Sequence, residues 1–198
     1  LKVQGRTSLD AHVEGAALDI AHAKIRAKAE LEKTSVESTT LKQKLDNISG
    51  LMTYESPTLF WKDLNVDYQK KTWVLNGYLQ DFLSPFVAGS IKTENLQADY
   101  QVKKKGDDLA IERLTGSYFD SSFDVTGLLK LTAGAEPTMA MKGEAKISLR
   151  DIPKVLPPEQ AKQIEALKLA GIVKVKADVS GRAADWTRRG RRRRRKNS

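Results

Sequence analysis

The sequence predicts a mainly β protein: an elongated, curved antiparallel sheet, groove-like and built from repeating β-hairpins, with one short amphipathic helix near residues 158–168. Three observations predict it. Apolar residues alternate with polar ones at a period of two through most of the chain, as in strands with one covered and one wet face. A setting of aliphatic residue, any residue, glycine recurs as Val3-Gln4-Gly5, Ile48-Ser49-Gly50, Leu75-Asn76-Gly77, Leu114-Thr115-Gly116, Val125-Thr126-Gly127, Leu169-Ala170-Gly171 and Val179-Ser180-Gly181. Short turn sequences such as Lys105-Gly106-Asp107-Asp108 join the alternating runs, which suits a meander of adjacent strands.

Taken in order, Leu1–Val13 and Ala17–Leu31 alternate cleanly enough to be strands. Thr39–Ile48 does not, because Leu41, Leu45 and Ile48 have helical spacing, so a brief helical or irregular segment is expected there. Leu64–Tyr68, Trp73–Leu79, Phe86–Thr93, Leu96–Val102, Asp108–Leu114 and Phe123–Leu131 read as further strands. The clearest case places Met139, Met141, Gly143, Ala145, Ile147 and Leu149 on one parity, against Lys142, Glu144 and Lys146 on the other. Leu169, Gly171, Val173, Val175, Ala177 and Val179 repeat that pattern. Between the last two runs, Pro157-Pro158 opens a helix in which Leu156, Ala161, Ile164 and Leu167 form one apolar stripe. That helix is expected to lie against the sheet or to plug the end of its apolar face. A glycine on the inward parity removes a side chain, which permits a bend or a close approach.

Charge separates the body of the chain from its end. The formal net charge is +9, yet Arg188, Arg189, Arg191–Arg195 and Lys196 supply eight of the 34 basic residues and face no acid. Without them the first 186 positions hold 26 basic against 25 acidic residues. Any affinity for nucleic acid or anionic membrane therefore rests on residues 187–198, a low-complexity basic tail that is expected to be disordered or a gene-end artefact. No run of 18 apolar residues is present, and no signal-peptide pattern opens the chain.

Catalytic chemistry finds little to use. His12 and His22 occupy even positions of alternating runs and read as outward, solvated residues. The absence of cysteine excludes disulfides and thiolate metal sites, and no carboxylate cluster has metal-ligand spacing. No phosphate-cradling loop or nucleophile elbow is found. The expectation is a protein that is not an enzyme, with no catalytic residue, metal or cofactor. Phe60, Trp61, Tyr68, Trp73, Tyr78, Phe82 and Phe86 form the densest aromatic group and read as cross-strand packing ahead of a ligand platform.

With these features in place, the sequence resembles the AsmA-like family of Gram-negative envelope proteins, related to TamB. The resemblance is carried by "LDNISGLMTYESPTLFWKDLNVDY", "WVLNGYLQDFLSPFVAGSIKTENLQADY", "LTGSYFDSSFDVTGLLKL" and "SLRDIPKVLPPEQAKQIEALKLAGIVKVKADVSGRAADW", in that order. It covers residues 1–186, as a segment of a longer protein. The family's N-terminal membrane anchor has no counterpart in these residues, nor does the arginine tail have one in the family. The resemblance implies a periplasmic groove, held at the inner membrane through a segment not present in this chain. It also implies a role in phospholipid transfer or outer-membrane assembly. The implied partners are phospholipid acyl chains and the rest of the same longer chain or envelope proteins, with no nucleic acid.

The expected groove lining is the odd parity: Leu75, Leu79, Val87, Ile91, Phe123, Val125, Leu129, Leu131, Met139, Met141, Ile147, Val173, Val175 and Val179. Taken alone, that pattern is met first by a closed sandwich core; the resemblance favours an open groove. The alternative function is a structural β-domain with a closed core whose basic tail binds nucleic acid or anionic membrane.

Overall fold

A computed structural model describes residues 2–15, 24–38, 43–68, 71–131 and 136–182. Among these, eleven strands form one open antiparallel sheet whose spatial order is their order in the chain. They are β1 (Lys2–Glu14), β2 (Lys24–Ser38), β3 (Gln43–Glu55), β4 (Thr58–Tyr68), β5 (Lys71–Gln80), β6 (Phe86–Lys92), β7 (Leu96–Lys105), β8 (Asp108–Tyr118), β9 (Ser121–Lys130), β10 (Thr138–Ser148) and β11 (Ile172–Arg182). Two short helices, α1 (Ile152–Val155) and α2 (Pro158–Ala166), lie between β10 and β11. The chain divides into two compact units, Leu1–Asp99 and Tyr100–Ser198. The expected break at residue 186, with the basic tail beyond it, lies outside the described residues, as do His22 and residues 17–23 of the expected Ala17–Leu31 strand.

The first unit departs from simple alternation at three points. Register shifts occur between Leu31 and Thr34 in β2, between Asp46 and Ser49 in β3, and between Trp61 and Leu64 in β4. Each contains one residue in the left-handed region: Lys33 at φ 48, Asn47 at φ 51 and Asp63 at φ 48. These are β-bulges, where one extra residue bends a strand and raises its twist. Inserting one residue reverses the parity, so the inward residues change from odd to even and stay on the same face.

That is why residues 43–48 are strand and not the expected helical or irregular segment. Leu45 and Ile48 both face inward, paired with Val36 and Thr34, and the three-residue interval between them is the bulge at Asn47. A strand with a bulge imitates one helical repeat. The earlier part of that segment, residues 39–42, lies outside the described residues. The same effect hides the first half of β4, which begins at Thr58 and not at Leu64.

Polar side chains hold the bulges. The Asp63 N–H, freed from the ladder, donates to the Asn76 side-chain oxygen at 2.8 Å. The Asn65 amide donates to the Asp63 carbonyl at 2.8 Å. Asn47 Nδ2 donates to Asp67 Oδ2 at 2.7 Å, and Thr72 Oγ1 donates to Asp67 Oδ1 at 2.8 Å. Those two hydrogen bonds, Asn47 first, hold the Asp67 carboxyl below its ordinary pKa. The partner strand adapts as well: Gly50, at φ 141, lies opposite the β4 bulge, where a Cβ would come within 2.7 Å of the Asp63 carbonyl oxygen. Only glycine combines that φ with that approach.

The second unit is more regular. β9 with β10, and β10 with β11, pair from end to end without a shift. Where β8 pairs with β9, the register shifts between Ile111 and Leu114. The connection from β10 to β11 contains two helices where the sequence predicts one, and α2 ends at Ala166. Asp151 anchors this connection and is 3% exposed. Its Oδ2 accepts from the Asp120 N–H at 2.9 Å and from Ser121 Oγ at 2.7 Å, while Lys154 Nζ donates to Oδ1 at 2.8 Å. Burial alone would raise the Asp151 pKa; Lys154, Ser121 and the Asp120 N–H outweigh it and hold the carboxyl below its usual value.

A one-sided apolar face as candidate functional site

Residues that pair across an antiparallel ladder project to the same side, so register assigns each side chain to a face. In the first unit, Leu75 pairs with Ile91 and Leu79 with Val87, which puts these four expected lining residues together. β4 adds Leu59 opposite Leu79, Leu64 opposite Leu75 and Val66 opposite Trp73. β3 adds Tyr54 opposite Leu59 and Met52 opposite Trp61. Ala27, Ala29 and Leu31 of β2, then Leu9, Ala11 and Val13 of β1, extend the same face.

In the second unit, Met139 pairs with Leu129 and Met141 with Gly127, while Gly143 lies across from Val125 and Ala145 from Phe123. On the other side of β10, Met141 meets Val179, Ala145 meets Val175 and Ile147 meets Val173. Phe123, Val125, Leu129, Met139, Met141, Ile147, Val173, Val175 and Val179 therefore share one face. β8 contributes Leu109, Ile111 and Leu114. Leu131 is different. It lies one residue past β9, is 39% exposed, and its N–H donates to the Asp107 carbonyl at 2.9 Å. It marks the rim of that face.

Odd parity assigns residues to this face only where no bulge intervenes. It missed Ile48, Met52, Tyr54, Leu64, Val66 and Leu114, which are inward because a bulge precedes them in β3, β4 and β8. A usable signal was present in Asn47 and Asp63: residue types that tolerate the left-handed region, each placed where the apolar spacing widens to three.

The face has little covering it. No large side chain among the described residues is less than 2% exposed, and of their buried apolar residues Ile48 and Val66 lie on this face while Ala88 lies on the other, beside Tyr78. Lining residues such as Leu75, Val125 and Met141 are half-buried, shielded by their neighbours in the sheet. At β11, Val173 and Val175 are 42% and 40% exposed. α2 does not close the face as a packed helix would: it has no buried residue, only Ala161 and Ile164 are half-buried, and Leu167 just beyond it is exposed. The sheet is open, so it is not the closed barrel or two-sheet sandwich that would turn this face into a dry core.

The aromatic group is divided between the two faces. Trp61 and Trp73 are inward, and Gly77 makes room for the Trp61 indole, whose Cζ2 lies 2.8 Å from where a Cβ would be. Phe60, Tyr78 and Phe86 form a ladder on the opposite face, with centroids 6.1 and 6.0 Å apart. That outer face also holds Leu51, Val74, Ala88, Ala110 and Leu128 among its polar residues. In the second unit Glu144 bonds Lys176 at 2.6 Å and Lys142 approaches Asp178 at 3.5 Å, all well exposed. His12, opposite Arg26, is exposed on the outer face of β1.

Among the described residues no group of three or more His, Asp or Glu side chains could hold a metal ion. No described helix is long and apolar enough to cross a membrane. No family model, curated protein or solved structure matches the chain.

Proposed function

We propose that this chain shields lipid acyl chains on the apolar face of its sheet, as a non-enzymatic segment of a periplasmic protein that moves phospholipid or assists outer-membrane assembly. One observation supports the reading above the others: inward apolar residues align strand after strand, stay half-exposed, and have no second layer over them among the described residues. A methylene left in water costs about 0.8 kcal/mol, so a sixteen-carbon chain costs on the order of 12 kcal/mol unless shielded along its length. Strands of ten to thirteen residues reach roughly 33–44 Å, which spans such a chain. Shielding needs no bond to be made or broken. The AsmA-like resemblance supplies the periplasmic setting, the inner-membrane attachment and the envelope partners. Solvent extraction of purified protein followed by lipid mass spectrometry tests the reading. Phospholipid recovered with the chain, and reduced by Val125→Asp together with Met141→Asp, is the expected result; protein free of lipid would contradict it.

A further inference from the structure

Among the described residues, the most exposed large apolar side chain lies outside the sheet. The β5–β6 connection, Asp81-Phe82-Leu83-Ser84-Pro85, leaves Leu83 99% exposed and Phe82 54% exposed. This loop holds its conformation through its own polar groups. Asp81, at φ 57, accepts from the Leu83 N–H at 3.0 Å and from the Ser84 N–H at 3.3 Å through one carboxylate oxygen. Pro85 restricts the residue before it. The tip is also continuous with the apolar face. The Phe82 ring packs on Tyr54 at 6.0 Å, and Tyr54 lies across from Leu59, which lies across from Leu79.

We infer that the Phe82–Leu83 tip inserts into the surface of a phospholipid bilayer. Two side chains offer far less than the roughly 800 Å² per partner that a stable protein interface buries. A bilayer interface has no such threshold, since each apolar side chain that leaves water contributes separately. Charge shapes the kind of surface. Between Lys71 and Lys92 the sole charged residue is Asp81, so nothing in this hairpin draws it to anionic lipid. Insertion is therefore hydrophobic, indifferent to salt, and as strong on zwitterionic as on anionic membranes. The geometry stands without the lipid-shielding reading; that reading gives it a purpose, since an inserted tip would sit where a lipid passes onto the face beside Tyr54.

The chain has no cysteine, so Leu83→Cys can hold an environment-sensitive fluorophore without competing sites. The full chain is mixed with phosphatidylcholine vesicles at about 0.5 M salt, where screening removes any pull from the basic tail. The expected result is a blue-shifted, severalfold brighter emission, quenched by a lipid-borne quencher. The same label at Glu94→Cys, in the β6–β7 turn, should stay as in water. Leu83→Asp in the unlabelled chain should weaken vesicle binding about tenfold or more, and because Leu83 is fully exposed the variant should fold normally. A label that remains in water, or an aspartate variant that binds equally well, overturns the inference. So does a blue shift that grows with protein concentration without vesicles, which would make the tip a self-association contact. Insertion by a chain that yields no lipid on extraction would leave this inference standing and remove the shielding function instead.

Discussion

β2, β3 and β4 reach a one-sided apolar face by a different route from β9, β10 and β11. The first group breaks alternation three times, each time through a left-handed Lys33, Asn47 or Asp63. The second group alternates from end to end, so that Met139, Met141 and Ile147 fall on one side by parity alone. Regular alternation depends mainly on side chains, although two glycines are constrained there as well: a Cβ at Gly127 would come within 2.5 Å of the Ala140 carbonyl oxygen, and Gly181 has φ 140. A bulge depends on backbone conformation, on a partner residue without a Cβ, and on polar groups that satisfy the displaced ladder. Gly50 combines an adverse φ with a 2.7 Å backbone approach, so it should be more sensitive to substitution than Gly143 of regular β10.

The largest expected effect lies there. Gly50→Val forces a β-branched residue to φ 141 with its Cβ 2.7 Å from the Asp63 carbonyl oxygen, and should destabilise the first unit by about 3 kcal/mol or more in urea unfolding. Gly143→Ala, in regular β10, meets its nearest atom at 3.1 Å with no adverse φ and should cost about 1 kcal/mol or less. Equal losses at the two positions would remove the distinction between the strands.

Asp151→Ala comes next. It strands the Asp120 N–H and the Ser121 hydroxyl, and should destabilise the second unit by about 3 kcal/mol. Its pH dependence has a definite sign. The folded pKa lies below the unfolded value of about 3.9, so this stabilisation is complete above that pH and is lost as pH falls through the folded pKa. Thermal unfolding between pH 6 and pH 3, compared with Asp151→Asn, should show the wild-type chain losing its advantage only at the acid end.

A smaller effect has the opposite sign in the two settings. Lys33→Gly removes a side chain from a left-handed position and should raise stability by about 0.5–1 kcal/mol. Lys28→Gly, at a regular position of the same strand, should lower it by about as much. The smallest effect belongs to the outer face of the second unit. Lys176 and Glu144 are 79% and 66% exposed, and Lys176→Ala should change stability by under about 0.5 kcal/mol in a denaturant titration.

These contrasts explain what the sequence made legible. The β class, the strand succession and the side on which the apolar residues of β5, β6, β9, β10 and β11 fall follow from period-two spacing, because those strands keep one register. Residues 43–48 and 58–63 did not, because a bulge converts an interval of two into an interval of three, which matches a helical turn and is marked only by Asn47 and Asp63, types that tolerate the left-handed region. Asp151 lies in the stretch ahead of the predicted helix; its burial depends on the turn at Asp120, about thirty positions away. Phe60 and Trp61 read as one aromatic patch, yet a strand sends neighbours to opposite faces. The Phe82–Leu83 tip was visible as composition, but its exposure follows from the turn that Asp81 closes.

The central claim is that the apolar face, and not the polar one, takes up acyl chains. Site-specific photocrosslinking with a probe at Val125 and, separately, at Asp124 tests it most directly, since these adjacent residues of β9 project to opposite faces. The account predicts phospholipid adducts from position 125 and none from position 124. Adducts at both positions alike, or at neither, would contradict it.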